Sequence, residues 1–192
     1  TGDFITYRAH YVAEDLIVAL RGLHAPDGVV GIPGNHDYKK DGAIDKVRGV
    51  MRDSGIHDLS NTFTTIERGT DRLHIAGVDD VAARRARLDL VLAALPDDDS
   101  PAILLAHEPD FADIASPTGR FALQLSGHTH GGQIRLPFLT RHILPTHGRR
   151  YPRGLGDVWG LPLYVNQGLG TVGLRMRFRC PPEITVLTLK SL

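Results

Sequence analysis

Three short apolar runs, each stopped by a histidine-bearing polar motif, constrain this chain more than any other feature. "GVVGIPG" (28–34) runs into "GNHD" (34–37), "AILLA" (102–106) into "HEPD" (107–110), and "FALQLS" (121–126) into "GHTH" (127–130). A brief apolar run bounded by Gly or Pro reads as a buried strand. Between the runs lie stretches of helical spacing: residues 8–23, where Leu16, Ile17, Leu20 and Leu23 share a face, then 42–53, then 81–95, then a helix from about Pro109. Strands alternating with helices imply an α/β fold. Ligand sites in such folds lie outside the carboxyl ends of the strands. All three motifs fall at that location, with Gly34, Gly127, Gly131 and Gly132 beside them to admit close backbone approach.

The remaining elements fit the same plan. "NTFTTIE" and "RLHIAGV" read as two strands joined by the turn "RGTD", and another strand covers 163–167. The tail "TVGLRMRFRCPPEITVLTL" reads as two strands bending at Pro181–Pro182, which makes the C-terminal third β-rich. There is no internal repeat and no linker, so 1–192 forms a single domain, long enough to bury a core. Zero net charge with His neutral removes any global field toward nucleic acid, and no nucleic-acid partner is expected. One cysteine, Cys180, excludes an internal disulfide and reads as packed before its two prolines. No apolar run reaches the roughly 18 residues of a membrane span.

The motif residues point to metal chemistry. Imidazole with carboxamide or carboxylate oxygen, and no thiolate, suits Mn, Fe or Zn at a catalytic site. His128 and His130 are two apart, so in extended backbone their rings project to one side. Any one of these histidines alone would read as a surface or satisfied core residue; together with His107 and Asn35 they read as ligands. His10, His24, His57 and His74 have no partner motif and read as structural or surface. Glu108 and Asp110 read as caps for the helix near Pro109, and Asp79 with Asp80 as a turn.

"GDF", "GNHD", "HEPD" and "GHTHGGQ", in that order, resemble the calcineurin-like metallophosphoesterases. "GVDD", "GHTHGGQIRLP" and "LYVNQGLGTVGLRMRFRCPPEITVLTL" are similar to stretches of a bacterial membrane- or cell-wall-associated phosphodiesterase branch. That branch includes enzymes cleaving UDP-2,3-diacylglucosamine. The resemblance runs from residue 2 to about residue 189. It implies a four-layer αββα sandwich of two mixed sheets, and hydrolysis of a phosphodiester or pyrophosphate. It also implies two divalent transition-metal ions (Mn, Fe or Zn), with a metal-bound hydroxide attacking phosphorus in line. By the same resemblance Asp3 bridges the ions, Asn35, His107 and His128 complete one ion's set, and His130 binds the other. His36 faces the substrate, and Asp37 orients its ring through the other nitrogen. The family's upstream Asp-x-His motif is the departure: nothing precedes "TGDF" to supply it. "GIHD" (55–58) has the letters reversed and reads as a loop, so it is no substitute. The expectation is therefore a piece of a longer phosphoesterase that lacks its first strand or strands and leaves an edge or groove exposed. One ion is then held poorly or lost. A bacterial membrane-associated or cell-envelope location is implied.

Residues 131–160 read as a long irregular loop with Arg135, Arg141, Arg149, Arg150 and Arg153 against one acid, Asp157. Such a loop is a candidate surface for an anionic substrate, with Arg135, His142, Arg149 and Arg150 as contacts. Its Leu136, Phe138, Leu139, Ile143 and Leu144 would suit a lipid-linked or cell-envelope phosphoester, or peripheral membrane contact. A solvated loop over its own apolar cluster explains the same residues. Arg175, Arg177 and Arg179 alternate with apolar residues as on a half-exposed strand. A scaffold that keeps this fold without catalysis is the competing class; the retained His36, Asn35, His107, His128 and His130 weigh against it.

Overall fold

A computed structural model describes residues 1–5, 13–138 and 140–190. Its larger sheet has six strands in the order β3–β4–β5–β6–β8–β7, where β3 is Thr62–Arg68, β4 Asp71–Gly77, β5 Ala102–Leu105, β6 Leu123–Ser126, β7 Gly154–Val158 and β8 Leu161–Val165. β4, β5, β6 and β8 run parallel, and β3 and β7 are antiparallel edges. The smaller sheet is a parallel pair, β1 (Val29–Gly31) with β2 (Ile56–Asp58). The helices are α1 (Ala13–Arg21), α2 (Ala43–Asp53), α3 (Leu88–Ala94), α4 (Ala112–Ala115) and α5 (Thr140–Ile143).

All four residues of β5 are buried, as a central parallel strand covered on both faces requires. Leu104 faces α3 and α4 with Ala76, Val91, Ala112 and Leu163. Ile103 and Leu105 face the other way, onto Ile32 and Leu59, which directly follow the two strands of the smaller sheet. α2 closes that side with Val47 and Met51 over Ile56. The packing order is thus helices, six-stranded sheet, two-stranded sheet, helix, the expected αββα layering. The sheets meet closely at Gly77, where a Cβ would lie 2.5 Å from the Leu59 carbonyl oxygen.

Several expectations need correction. The tail is not a pair of strands: apart from a bridge between Ile134 and Phe178 it has no ladder among the described residues. Ile184 and Val186, which share one face of the expected strand, stand 80% and 88% exposed. Side chains anchor it instead, Thr185 and Glu183 meeting Tyr164 and Asn166. Residues 55–58 are not a loop, because Ile56–Asp58 is β2; Asp58 there is tied to Arg48 and Ser60. The helix expected over 81–95 shrinks to α3. Glu108 accepts from the N–H groups of Val81 and Ala82, Asp80 from Ala83 and Asn61 from Arg87, so side chains take donors that would lead into a helix. The irregular 131–160 loop contains α5 and β7. β7 and β8 join through Trp159 and Gly160, both at positive φ, as a tight hairpin turn requires. The larger sheet is mixed as expected, whereas the smaller is parallel. The start of the 8–23 helix and His10 lie outside the described residues.

Candidate metal centre

β5 and β6 are neighbours in the larger sheet, and β1 of the smaller sheet leads to the same cavity. β1 delivers Pro33–Gly34 into a 3-10 turn over Asn35–Tyr38, β5 delivers His107, and β6 delivers Gly127–His130. The Gly127 N–H donates to the His107 carbonyl at 3.0 Å, locking the last two exits together. His128 and His130 sit at φ 66° and 51°, a strained setting for residues with side chains and a recurrent one at functional sites. His107 and His128 meet edge to face, centroids 4.9 Å apart.

The two rings are held in the same way. His107 Nδ1 lies 2.6 Å from the Thr1 carbonyl oxygen and His128 Nε2 lies 2.8 Å from that of Thr146. Each N–H donated outward fixes a ring nitrogen pointing inward. His107 Nε2 points at Asp3 Oδ2, 3.4 Å away, and His128 Nδ1 at Asn35 Oδ1, 3.1 Å away. Burial lowers the affinity of His128 for a proton, so with Nε2–H on Thr146 its inner nitrogen presents a lone pair toward the Asn35 carboxamide. A cation held by both groups would take that lone pair and the amide oxygen together. At His107 burial opposes the imidazolium, but the Asp3 carboxylate overrides it and raises the ring to about 9. A divalent ion would stand where that inner proton stands. Asp3 itself is held well below the carboxylate range: burial works against its charge, and His107 and the His36 N–H more than offset this. Burial brings His130 down to about 4, and its buried Nδ1 has no hydrogen-bond partner.

Donor chemistry, the orphaned His130 Nδ1 and the inward nitrogens therefore fit divalent metal, in pairs. Among the described residues no three His, Cys, Asp or Glu side chains converge closely enough to form a ready-made ion site. Asp3, His36, His107, His128 and His130 all line one cavity of about 670 Å³, which extends along Leu125 toward the tail.

His36 Nε2 lies 3.2 Å from Lys39 Nζ; burial first, and Lys39 too, lower its proton affinity. Asp37, expected on the His36 ring, has its carboxylate on backbone N–H groups of Gly34, Phe4 and Ile5. Of the expected substrate contacts, Arg150 is paired with Asp113, whose carboxylate also receives the Tyr151 hydroxyl. Arg135 bonds the Gly131 carbonyl and the Gln167 side chain, and Arg149 reaches the Leu144 carbonyl at 3.3 Å. His142 is exposed on α5. Glu108 is no cap, since its carboxylate anchors the 81–82 backbone. Sequence reasoning missed the Thr1 and Thr146 carbonyls, which no residue type could announce, and Lys39, which three-residue spacing from His36 could have suggested. It also missed the brace of Tyr38 and Arg48 on Asp79 beneath the turn.

No family model matches the chain. No solved structure matches it either. The metallophosphoesterase YkuE of Bacillus subtilis, itself uncharacterised, is 39% identical over 196 residues, covering 100% of this chain and 66% of the relative. A second B. subtilis metallophosphoesterase, YkoQ, is 28% identical over 96% of this chain and 69% of its own length. The phosphodiesterase YaeI of Escherichia coli is 31% identical over 81% of this chain and 56% of its own length. The chain thus spans between 56% and 69% of these relatives. These named homologues support the assignment of this chain to the metallophosphoesterase family.

Proposed function

We propose that the chain carries the centre of a metal-dependent phosphodiesterase in which Asp3, Asn35, His107, His128 and His130 hold two divalent ions. The observation that supports this most is the shared posture of His107 and His128, outer nitrogen on a backbone carbonyl and inner nitrogen on an oxygen ligand. Bound divalent ions would neutralise phosphoryl charge and make a water acidic enough to act near neutral pH. His36, the second residue of its 3-10 turn, would contact the phosphoryl oxygens or hand a proton to the leaving oxygen, with Lys39 adjacent to hold charge there.

The substrate side has two characters. A cavity of about 350 Å³ is lined by His36, His128 and His130 and also by Ile143, Val172 and Leu174. Phe138, 93% exposed, projects from the loop between that cavity's wall and α5. The reading is an anionic phosphodiester with an apolar tail, approached at a membrane or cell-envelope surface. No helix among the described residues is long and apolar enough to cross a membrane.

Metal analysis of the purified chain tests the centre. At least one Mn, Fe or Zn ion per chain is expected, and loss of it in His107→Ala/His128→Ala; a metal-free wild type overturns the reading. Hydrolysis of an aryl phosphodiester with added Mn should fall 10²–10⁴-fold in His36→Ala. Unchanged turnover removes His36 from the chemistry. Equal kcat/KM for tailed and tail-less phosphodiesters removes the apolar subsite. The competing class, a scaffold without catalysis, predicts bound metal without turnover of any phosphodiester.

A further inference from the structure

Asp37 is fully buried, and among the described residues its three bonds go to backbone and none to a ring. Its carboxylate accepts the N–H groups of Gly34 at 2.9 Å, Ile5 at 3.1 Å and Phe4 at 3.3 Å. Asp3 returns the exchange, accepting the His36 N–H at 2.8 Å through Oδ1 while Oδ2 faces His107. Two carboxylates are therefore interlaced: the one on segment 3–5 grips the 34–37 turn, and the one on the turn grips segment 3–5. Where they cross there is no spare space. A Cβ on Gly34 would lie 2.5 Å from the Asp3 nitrogen and from Oδ1, and one on Gly2 would lie 2.4 Å from His107 Nδ1.

Asp3 needs such a clasp for a physical reason. It sits at φ 57°, a conformation that persists only when its surroundings over-determine it. Phe4 and Ile5, which follow, belong to no strand ladder among the described residues, so no sheet fixes their direction. Asp37 supplies what a ladder would: a buried acceptor that takes two consecutive N–H groups and so sets the path of the chain leaving Asp3.

We propose that Asp37 is the positioning residue for Asp3, fixing the reach of that carboxylate toward His107 and hence the affinity of the centre for metal, and that it acts on the chemistry through Asp3, not through His36. The inference rests on the metal-dependent reading above, and predicts a signature that a purely structural acid would not give. Asp37→Asn keeps the shape but removes the charge and places an amide donor against backbone donors. In folded Asp37→Asn protein, titration with Mn or Zn against a fluorescent chelator should show affinity at least about tenfold weaker, the usual scale for residues that orient ligands. Turnover should return toward wild type when Mn is raised to saturation, with the pH profile of kcat unmoved. Asp37→Asn added to Asp3→Asn should weaken binding no further than Asp3→Asn alone.

If circular dichroism shows Asp37→Asn unfolded, Asp37→Glu carries the same test: it keeps the charge, lengthens the reach by one methylene and should also weaken metal binding. Unchanged metal affinity in a folded variant overturns the proposal. So does a shifted pH profile of kcat at saturating metal, because that is the outcome if Asp37 acts on His36. Additive losses in the double variant overturn it as well. Wild-type protein that binds neither Mn nor Zn overturns the metal reading, and the positioning role falls with it. Wild-type binding that survives Asp37→Asn overturns the positioning role alone.

Discussion

His107 and His128 leave the ends of β5 and β6, strands flanked on both sides within the six-stranded sheet, whereas Asn35 and His36 leave β1, a three-residue strand paired with β2 alone among the described residues. The first pair inherits its placement from a sheet whose two faces are both buried. The second pair, with Asp3, is placed by carboxylates bonding to backbone across more than thirty residues of sequence. Half of the candidate centre is therefore held by packing and half by polar clasps. Packing is robust to local polar change; a clasp is not.

Leu104→Ala attacks the packed half. Leu104 is fully buried at the middle of β5, and its truncation should cost about 3 kcal/mol by chemical denaturation. Because the whole sheet weakens together, metal affinity below the transition should change little. Gly34→Ala attacks the clasped half and should reverse that pattern. The new Cβ meets Asp3 backbone and carboxylate, so overpacking should cost about 1–3 kcal/mol and metal content should drop sharply while the far-ultraviolet spectrum stays native. Metal retained at wild-type level in Gly34→Ala would erase the distinction between the two halves.

A pH experiment sharpens the comparison where the halves meet. Asp80 is fully buried, and burial, followed by the neighbouring Glu108 charge, raises it to about 8. Raised above its unfolded value near 3.9, it binds a proton in the folded state that the unfolded state has released. Its stabilising contribution is complete below about pH 4 and is lost as pH climbs through about 8. Asp80→Asn should flatten the stability profile between those limits; a profile identical to wild type would show that the proton is not held there. The smallest effect is expected at Arg150, an exposed partner of Asp113. Arg150→Ala should leave the melting midpoint nearly unchanged and kcat/KM unaltered. A marked fall in kcat/KM would return Arg150 to the substrate surface.

The packed half was legible in the sequence and the clasped half was not, for one reason. Strands such as "AILLA" announce themselves because burial on both faces demands an unbroken apolar run, and the motif after each strand then has a known location. The alternation implies an α/β fold, and the order of the four layers comes from the family resemblance. The clasps use backbone N–H and C=O groups, which every residue carries. The resemblance thus implies Asp37 on the His36 ring, although the structure gives it to Gly34, Phe4 and Ile5. The tail misled in the opposite direction. "ITVLTL" has the period of a strand, but period specifies only which face a residue would take, and a ladder also needs an edge to pair with. The hairpin at Trp159–Gly160 was missed because one non-glycine residue at positive φ leaves no compositional trace.

The sequence separations inside the centre also dictate when it forms. The His107–Thr1 bond joins residues 106 apart, and the His128–Asn35 approach spans 93. Closing such loops is entropically expensive until a framework shortens the effective path. During folding, β3–β4 and β7–β8, both local hairpins, are placed to form early, and the parallel pairs β4–β5 and β5–β6 follow. These separations predict that Asp3 and the 34–37 turn meet only after the strands carrying the histidines have paired, so the Phe4 and Ile5 amides should exchange with solvent faster than those of β5.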